Sequence, residues 1–423
     1  MQLEFGYGSG VQTVELPQEN LLGVLHAAPI EHERRGPDAV SWALAHPIGS
    51  APLHQLARPG QRIAIVTSDI TRPLPSYQIL PGVLDELYRA GVRPEDITVV
   101  LALGSHRRHT PEEVIRLVGQ KCYETVRCID SDAADCIHLG DTAHGTPVDI
   151  TRAVAEADFR ICLGNIEFHY FAGYSGGAKA IMPGVSTREA IQANHSRMVL
   201  PECCAGALET NPLRLDIEEA GAMLGIDFIL NVVLSEHKEV LRAVAGDPVK
   251  AHRVGCAFLD SLYRKELTEP ADIVIVSQGG APKDLNLYQT QKALDNAKHA
   301  VRDGGVIILI GSCREGLGEE TFEEWMTTAP TPESLIERIQ KEFRLGGHKA
   351  AAIAMVLERA EVDLVSDMDD DFVRSLFLVP QPSAQAALEH AFQKLGPDAR
   401  VLSMPYGGAT LPTIIKNLNK ETE

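Results

Sequence analysis

Short apolar runs, each followed by a polar loop and an amphipathic stretch, recur along this chain and constrain what it can fold into. Residues 62–67 (RIAIVT), 96–103 (DITVVLAL), 159–163 (FRICL), 272–277 (DIVIVS) and 306–310 (VIILI) are apolar through most of their length, without strict alternation. A strand of that kind is covered on both faces. A helical pattern follows the first run at about residues 80–90, and capping boxes at 110–113 (TPEE) and 186–189 (STRE) open two more helices. Strands alternating with helices predict an α/β, Rossmann-like fold of two domains with largely parallel sheets. A polar, Pro-containing stretch at 266–270 marks the boundary. It predicts an N-terminal α/β domain over 1–268, a C-terminal α/β domain over 269–397, and a last segment, 398–423, that crosses back to the first domain.

Composition removes several function classes. Hydrophobic residues make up 44% of the 423 and charged residues 23%, which excludes a disordered or fibrous chain. The 39 Lys and Arg against 58 Asp and Glu leave a net charge of −19 with no basic cluster, so no nucleic-acid partner is expected. The opening MQLEFGYGSG lacks the basic and apolar segments of a secretory signal. The apolar runs fall far short of the ~20 residues a membrane span needs. A cytoplasmic location without a membrane partner is therefore expected. None of the eight cysteines sits in a C-x-x-C pair, and they read as reduced structural thiols.

In open α/β sheets, ligands sit beyond the carboxyl ends of the strands. Each predicted strand here ends in a loop rich in polar or titratable side chains. These are 68–73 (SDITRP), 104–109 (GSHRRH), 164–170 (GNIEFHY), 278–282 (QGGAP) with Tyr288, Gln289 and Lys292 beyond it, and 311–316 (GSCREG). The coincidence over five strands predicts one polar site, expected in the cleft between the domains. His106 and His169 each lie a few residues past a strand end, and imidazole titrates where proton transfer near neutral pH needs it. They read either as an acid/base pair on opposite sides of one substrate carbon or as hydrogen-bonded loop histidines. His109 reads as a solvated residue beside a helix start. Residues 173–184 (GYSGGAKAIMPG) set four glycines around Lys179. The spacing is not that of a Walker A loop. A phosphate nest, a nucleophilic lysine and a flexible loop all remain open. His195, on the helix opened by the second capping box, has no histidine at i±3 or i±4. As a metal ligand it needs partners from elsewhere in the chain or from a cofactor. Arg72 and Lys292 suit a carboxylate, although Asp69-x-x-Arg72 also fits a structural ion pair.

Taken together, Asp69-x-x-Arg72-Pro, Gly104-x-His106-Arg, the block from His169 to Lys179, Asn194-His195 and Tyr288-Gln289-x-x-Lys292 resemble the nickel-pincer lactate racemase family. The resemblance runs from about residue 6 to residue 408. It implies a racemase or epimerase of 2-hydroxy acids that uses a nickel-pincer nucleotide (a pyridinium-3,5-bisthiocarboxylic acid mononucleotide). Lys179 then matches the lysine joined to the cofactor, His195 the protein ligand to nickel, and His106 with His169 the acid/base pair. Asp69, Tyr288 and Gln289 match cofactor-side positions, and Arg72 and Lys292 substrate-side ones, with the division of these five between substrate carboxylate and cofactor phosphate left open. Direct removal of an α-proton beside a carboxylate is costly, so the implied chemistry is proton-coupled hydride transfer. In lactate-specific members a Trp stands near the position of His348, and a His there implies a larger or more polar substrate. The implied partners are a small 2-hydroxy acid and the enzymes that mature the cofactor; the oligomeric state stays open. Two other readings remain. One is a zinc- or iron-dependent hydrolase or lyase using His106, His169 and His195 directly. The other is a non-catalytic binder of an acidic metabolite.

Overall fold

A computed structural model describes residues 1–28, 34–235 and 238–415 of the chain. Its main strands form two six-stranded sheets. β1 (Leu21–Val24) belongs to one of them. The next six build the other: β2 (Ile63–Ser68), β3 (Ile97–Ala102), β4 (Arg127–Asp130), β5 (Phe159–Asn165), β6 (Phe228–Leu234) and β7 (Val240–Gly246). β8 (Ala271–Ser277), β9 (Val301–Ile310), β10 (Ala360–Val365), β11 (Val379–Gln381) and β12 (Val401–Met404) complete the first sheet. All five apolar runs are thus strands.

The sheet of β2–β7 has the order β7-β6-β5-β2-β3-β4, parallel except for the antiparallel edge pair β6–β7. Its central strands are buried on both faces, which is why Ile63, Ala64, Ile65 and Val66 can be apolar in succession. Ile65, Val99, Ile161 and Leu230 share one core with Val83 and Leu87 of α1 (Ser76–Arg89). Each such side chain contributes about 1.5–3 kcal/mol on burial. The other sheet, β11-β10-β9-β8-β12-β1, is parallel throughout.

The division of the chain differs from the one expected. The described residues fall into a continuous unit, Ile30–Ser261, and a discontinuous one, Met1–Pro29 with Leu262–Glu423. β12 pairs with both β8 and β1, and residues 411–414 pair with residues 264–267, so residues 398–415 stay with the discontinuous unit instead of crossing back. The first residues likewise supply its edge strand and do not join the 30–261 sheet. Residues 416–423 lie outside the described residues.

The first capping box is formed as expected. Thr110 Oγ1 accepts from the Glu113 amide at 3.3 Å and Glu113 Oε2 from the Thr110 amide at 2.9 Å, opening α2 (Pro111–Val118). The second starts one residue late. Thr187 caps α3 (Arg188–His195), because Ser186 Oγ already donates to the Ile181 carbonyl at 2.9 Å. No helix among the described residues is long and apolar enough to cross a membrane.

Candidate active site

The loops after β2, β3 and β5 carry the candidate residues of the continuous unit. Asp69 is 2% exposed. Its carboxylate accepts from His106 Nδ1 at 2.6 Å and from Thr71 Oγ1 at 2.8 Å. Burial alone pushes this carboxyl up. The hydrogen bonds from His106 and Thr71 and the charge of Arg72 outweigh it, and hold the group below its usual range. A carboxylate on Nδ1 makes that nitrogen the donor, so Nε2 of His106 is the proton acceptor of the neutral ring. His169 is set the other way. Its Nδ1 accepts from the Ala172 amide at 3.3 Å, which puts the proton of the neutral ring on Nε2. The two neutral rings therefore carry their protons on different nitrogens, Nδ1 in His106 and Nε2 in His169. His109 is not solvated as expected. Its side chain is 1% exposed, bonds Asp130 at 2.6 Å, and accepts from the Ile70 amide at 3.1 Å, which ties down the loop that presents Asp69.

Phe171 is the hub of this group. Its ring centroid lies 4.4 Å from that of His169 and 4.9 Å from that of His195, both edge-on, and Lys179 Nζ stands 5.6 Å from it. Burial, with the charges of Arg72 and Arg214, holds the Lys179 amine well below the usual lysine range, against the opposing charge of Glu167. Arg72 is exposed and acts electrostatically on both Asp69 and Lys179. Asp69, Arg72, His106, His169, Lys179 and His195 therefore form one connected set.

His195, 5% exposed, has its orientation fixed by its neighbour. Asn194 donates through Nδ2 to Asp216 at 2.6 Å and to the Leu213 carbonyl at 3.2 Å, so its Oδ1 faces His195 Nδ1 at 2.9 Å as an acceptor. Nδ1 must then carry the proton, which makes Nε2 the nitrogen able to ligate a metal.

The glycine-rich loop rests on buried residues that the sequence reading missed. Arg214 lies on α4 (Pro212–Leu224), and its Nη1 donates to the carbonyls of Tyr174 at 3.2 Å and Gly176 at 3.4 Å. Asn231 Oδ1 accepts from the Gly177 amide at 2.8 Å, and His252 of α5 (Lys250–Tyr263) donates through Nε2 to the Ser175 carbonyl at 2.8 Å. Gly177 has φ +59°, and a Cβ there would lie 2.9 Å from Arg214 Nη2. The backbone passes close over its support where only glycine fits. No local signal marks Arg214 or His252, because each looks like an ordinary helix residue in sequence.

The remaining candidates belong to the discontinuous unit. Tyr288, Gln289 and Lys292 lie in the first turns of α6 (Leu287–Ala297), whose N-cap Asn286 accepts from the Gln289 amide at 3.0 Å. Tyr288 and Gln289 are half-buried and Lys292 is exposed. His348 starts α7 (Gly347–Leu357), is 8% exposed, and accepts from the Gly346 amide through Nδ1 at 3.0 Å. Its neighbour Lys349, 6% exposed, places Nζ 4.0 Å from the Tyr288 ring centroid and donates to the Tyr288 carbonyl. Burial and the charge of Lys292 hold this amine well below the usual range, against Asp295. Lys349 was missed; its signal was a lone cation in an otherwise apolar helix, GHKAAAIAMVL. Beside it, Trp325 is wholly buried, and a Cβ at Gly347 would lie 2.6 Å from its ring.

A largely parallel α/β chain whose strand-end loops carry imidazoles, a buried lysine and an exposed arginine has the architecture of an enzyme that works beyond the carboxyl ends of its strands. The chain matches the family model of the lactate racemase N-terminal domain over residues 7–205 and that of the lactate racemase C-terminal domain over 267–411. It is 33% identical to a lactate racemase of Thermoanaerobacterium thermosaccharolyticum, over 96% of this chain and 97% of the relative. It is 32% identical to a lactate racemase of Lactiplantibacillus plantarum, over 96% and 98%. The solved structure of the T. thermosaccharolyticum lactate racemase apoprotein superposes with a TM-score of 0.86, covering 97% of this chain and all of that one. Fold and relatives together define an isomerase, a racemase. The chain belongs to the lactate racemase family. Among the described residues, the ligand atoms of His106, His169 and His195 do not gather within 4.8 Å of one another.

Proposed function

We propose that this protein inverts the α-carbon of a 2-hydroxy acid by proton-coupled hydride transfer, using a nickel-pincer nucleotide joined to Lys179. The observation that carries the reading is the packing of His169, His195 and Lys179 around Phe171, with Arg72 and the Asp69–His106 pair linked to the same group. The donor set fits such a cofactor. Lys179 has an amine held toward its neutral, acylatable form, and His195 presents an oriented imidazole nitrogen. When bound, the cofactor supplies a centre that takes up the α-hydrogen with its bonding pair and returns it to either face.

The chain's own residues handle protons and orientation. His106, its Nδ1 held by Asp69, accepts the substrate hydroxyl proton at Nε2, and Asp69 stabilises the resulting imidazolium. His169 returns a proton from Nε2 on the other face, and the two roles exchange when the opposite enantiomer is turned over. Arg72 and Lys292 hold carboxylate or phosphate oxygens through charge-assisted hydrogen bonds. Asp69, Tyr288 and Gln289 complete the cofactor side. His348, with Lys349 beside it, favours a substrate larger or more polar than lactate. Enzymes that mature the cofactor act on this protein in the cytoplasm.

The test uses protein matured in a host that makes the cofactor. Intact mass should exceed that of the sequence by the cofactor adduct, nickel should approach one per chain, and a panel of chiral 2-hydroxy acids should yield at least one that loses optical activity. Lys179→Ala should lose adduct, nickel and activity together. Active protein with the plain sequence mass and no nickel would overturn the proposal.

A further inference from the structure

A second cluster of ligating groups lies in the discontinuous unit. Glu361 and Asp363 are two apart on β10 and so point to the same face. That face meets α8 (Ala384–Leu395), which carries His390 and, one turn on, Lys394. Glu361, Asp363 and His390 each place a ligand atom within 4.8 Å of the others.

The hydrogen bonding of the cluster is incomplete in a specific way. Asp363 is 0% exposed. Its Oδ2 accepts from His390 Nδ1 at 2.8 Å and from Gln381 Nε2 at 3.0 Å, while its Oδ1 is buried without a hydrogen-bond partner. Glu361 Oε2 accepts from Lys394 at 2.8 Å, while its Oε1 is likewise buried and unpartnered. Burial pushes the Asp363 carboxyl up, and the Glu361 charge opposes the relief that His390 and Gln381 give. Two orphaned carboxylate oxygens beside an imidazole are costly to bury unless a cation joins them.

We propose that Glu361, Asp363 and His390 bind a divalent first-row metal ion, zinc being the probe that suits two carboxylate oxygens and one imidazole nitrogen. Zinc bonds of about 2.0–2.2 Å separate tetrahedral ligands by about 3.3 Å, so the His390–Asp363 pair, at 2.8 Å, opens around the ion while the wider pairs, within 4.8 Å, close on it by up to about 1.5 Å. The metal takes the place of the proton that His390 shares with Asp363, and water completes the coordination. An open surface depression of about 540 Å³, lined in part by Asp303, Arg359 and Lys394, reaches the cluster at Glu361. The ion clamps α8 to the edge side of the sheet. This site is separate from the proposed racemase chemistry and holds whether or not that chemistry is right.

The experiment is zinc titration of the tag-free full chain, produced without cofactor maturation and stripped with chelator. Calorimetry should show one saturable equivalent with micromolar or tighter affinity. Excess zinc should raise the melting temperature by about 5 °C. Glu361→Gln, Asp363→Asn and His390→Ala should each weaken that equivalent at least tenfold and abolish the thermal shift, while melting in EDTA stays within the range of the parent. The same equivalent should survive His195→Ala. Absence of saturable binding, or binding untouched in Glu361→Gln and His390→Ala, overturns the proposal.

Discussion

At the scale of single residues, the two imidazoles differ in what holds them. His106 answers to a buried carboxylate and His169 to a backbone amide. Asp69→Asn keeps the shape but turns an obligate acceptor into an amide that can present its N–H to His106, favouring the wrong tautomer. The expected outcome is a fall in kcat of about 10²–10⁴-fold with little change in melting temperature, measured on matured protein. A rise in KM with kcat unchanged would place Asp69 in binding alone. Position past a strand or on a capped helix singled out His106, His169 and His195, and a glycine-rich loop singled out Lys179, but each kept a structural reading, and their roles came from the resemblance of the motifs taken together. Arg214, His252 and Lys349 were not singled out, since their importance comes from burial under a loop or against a ring contributed by distant sequence.

At the scale of elements, the stretch from Gly173 to Gly184 shows why glycine is required and where. Gly173 has φ +75°, and a Cβ there would stand 1.8 Å from the Ala207 carbonyl oxygen. Gly173→Ala should cost about 2–4 kcal/mol, the sum of a left-handed backbone penalty and a steric clash with main chain. Urea unfolding followed by circular dichroism checks this, and an unchanged midpoint would mean that the loop relaxes freely. The strands were read correctly because apolar runs are a local signal. The start of α3 was misplaced by one residue because Ser186 and Thr187 both cap well, and only the competing bond to Ile181 decides between them.

At the scale of the whole molecule, acid should loosen the fold through Glu218. This carboxylate accepts from Arg214 at 2.7 Å and from Arg253 at 2.7 and 2.9 Å. Burial raises its pKa, but the two guanidinium groups prevail and bring it from 4.5 to about 2. A depressed folded value means that its stabilisation is complete above the unfolded pKa and disappears as pH falls from about 4.5 toward 2. The difference corresponds to about 3 kcal/mol. Denaturant midpoints of the parent should fall more steeply over that window than those of Glu218→Gln; equal slopes would assign acid lability elsewhere. The α/β class was legible in the sequence, but the division of the chain was not. β1 is four residues long, and its partner β12 comes some 380 residues later, a pairing no local pattern announces. That pairing sets an order of events on the ribosome. Residues 30–261 emerge whole while the sheet of the other unit still waits for β12, the strand that joins β8 to β1. A fragment of those residues should give a cooperative melt by itself, whereas a chain stopped at 397 should be cut quickly by protease around its stranded β1.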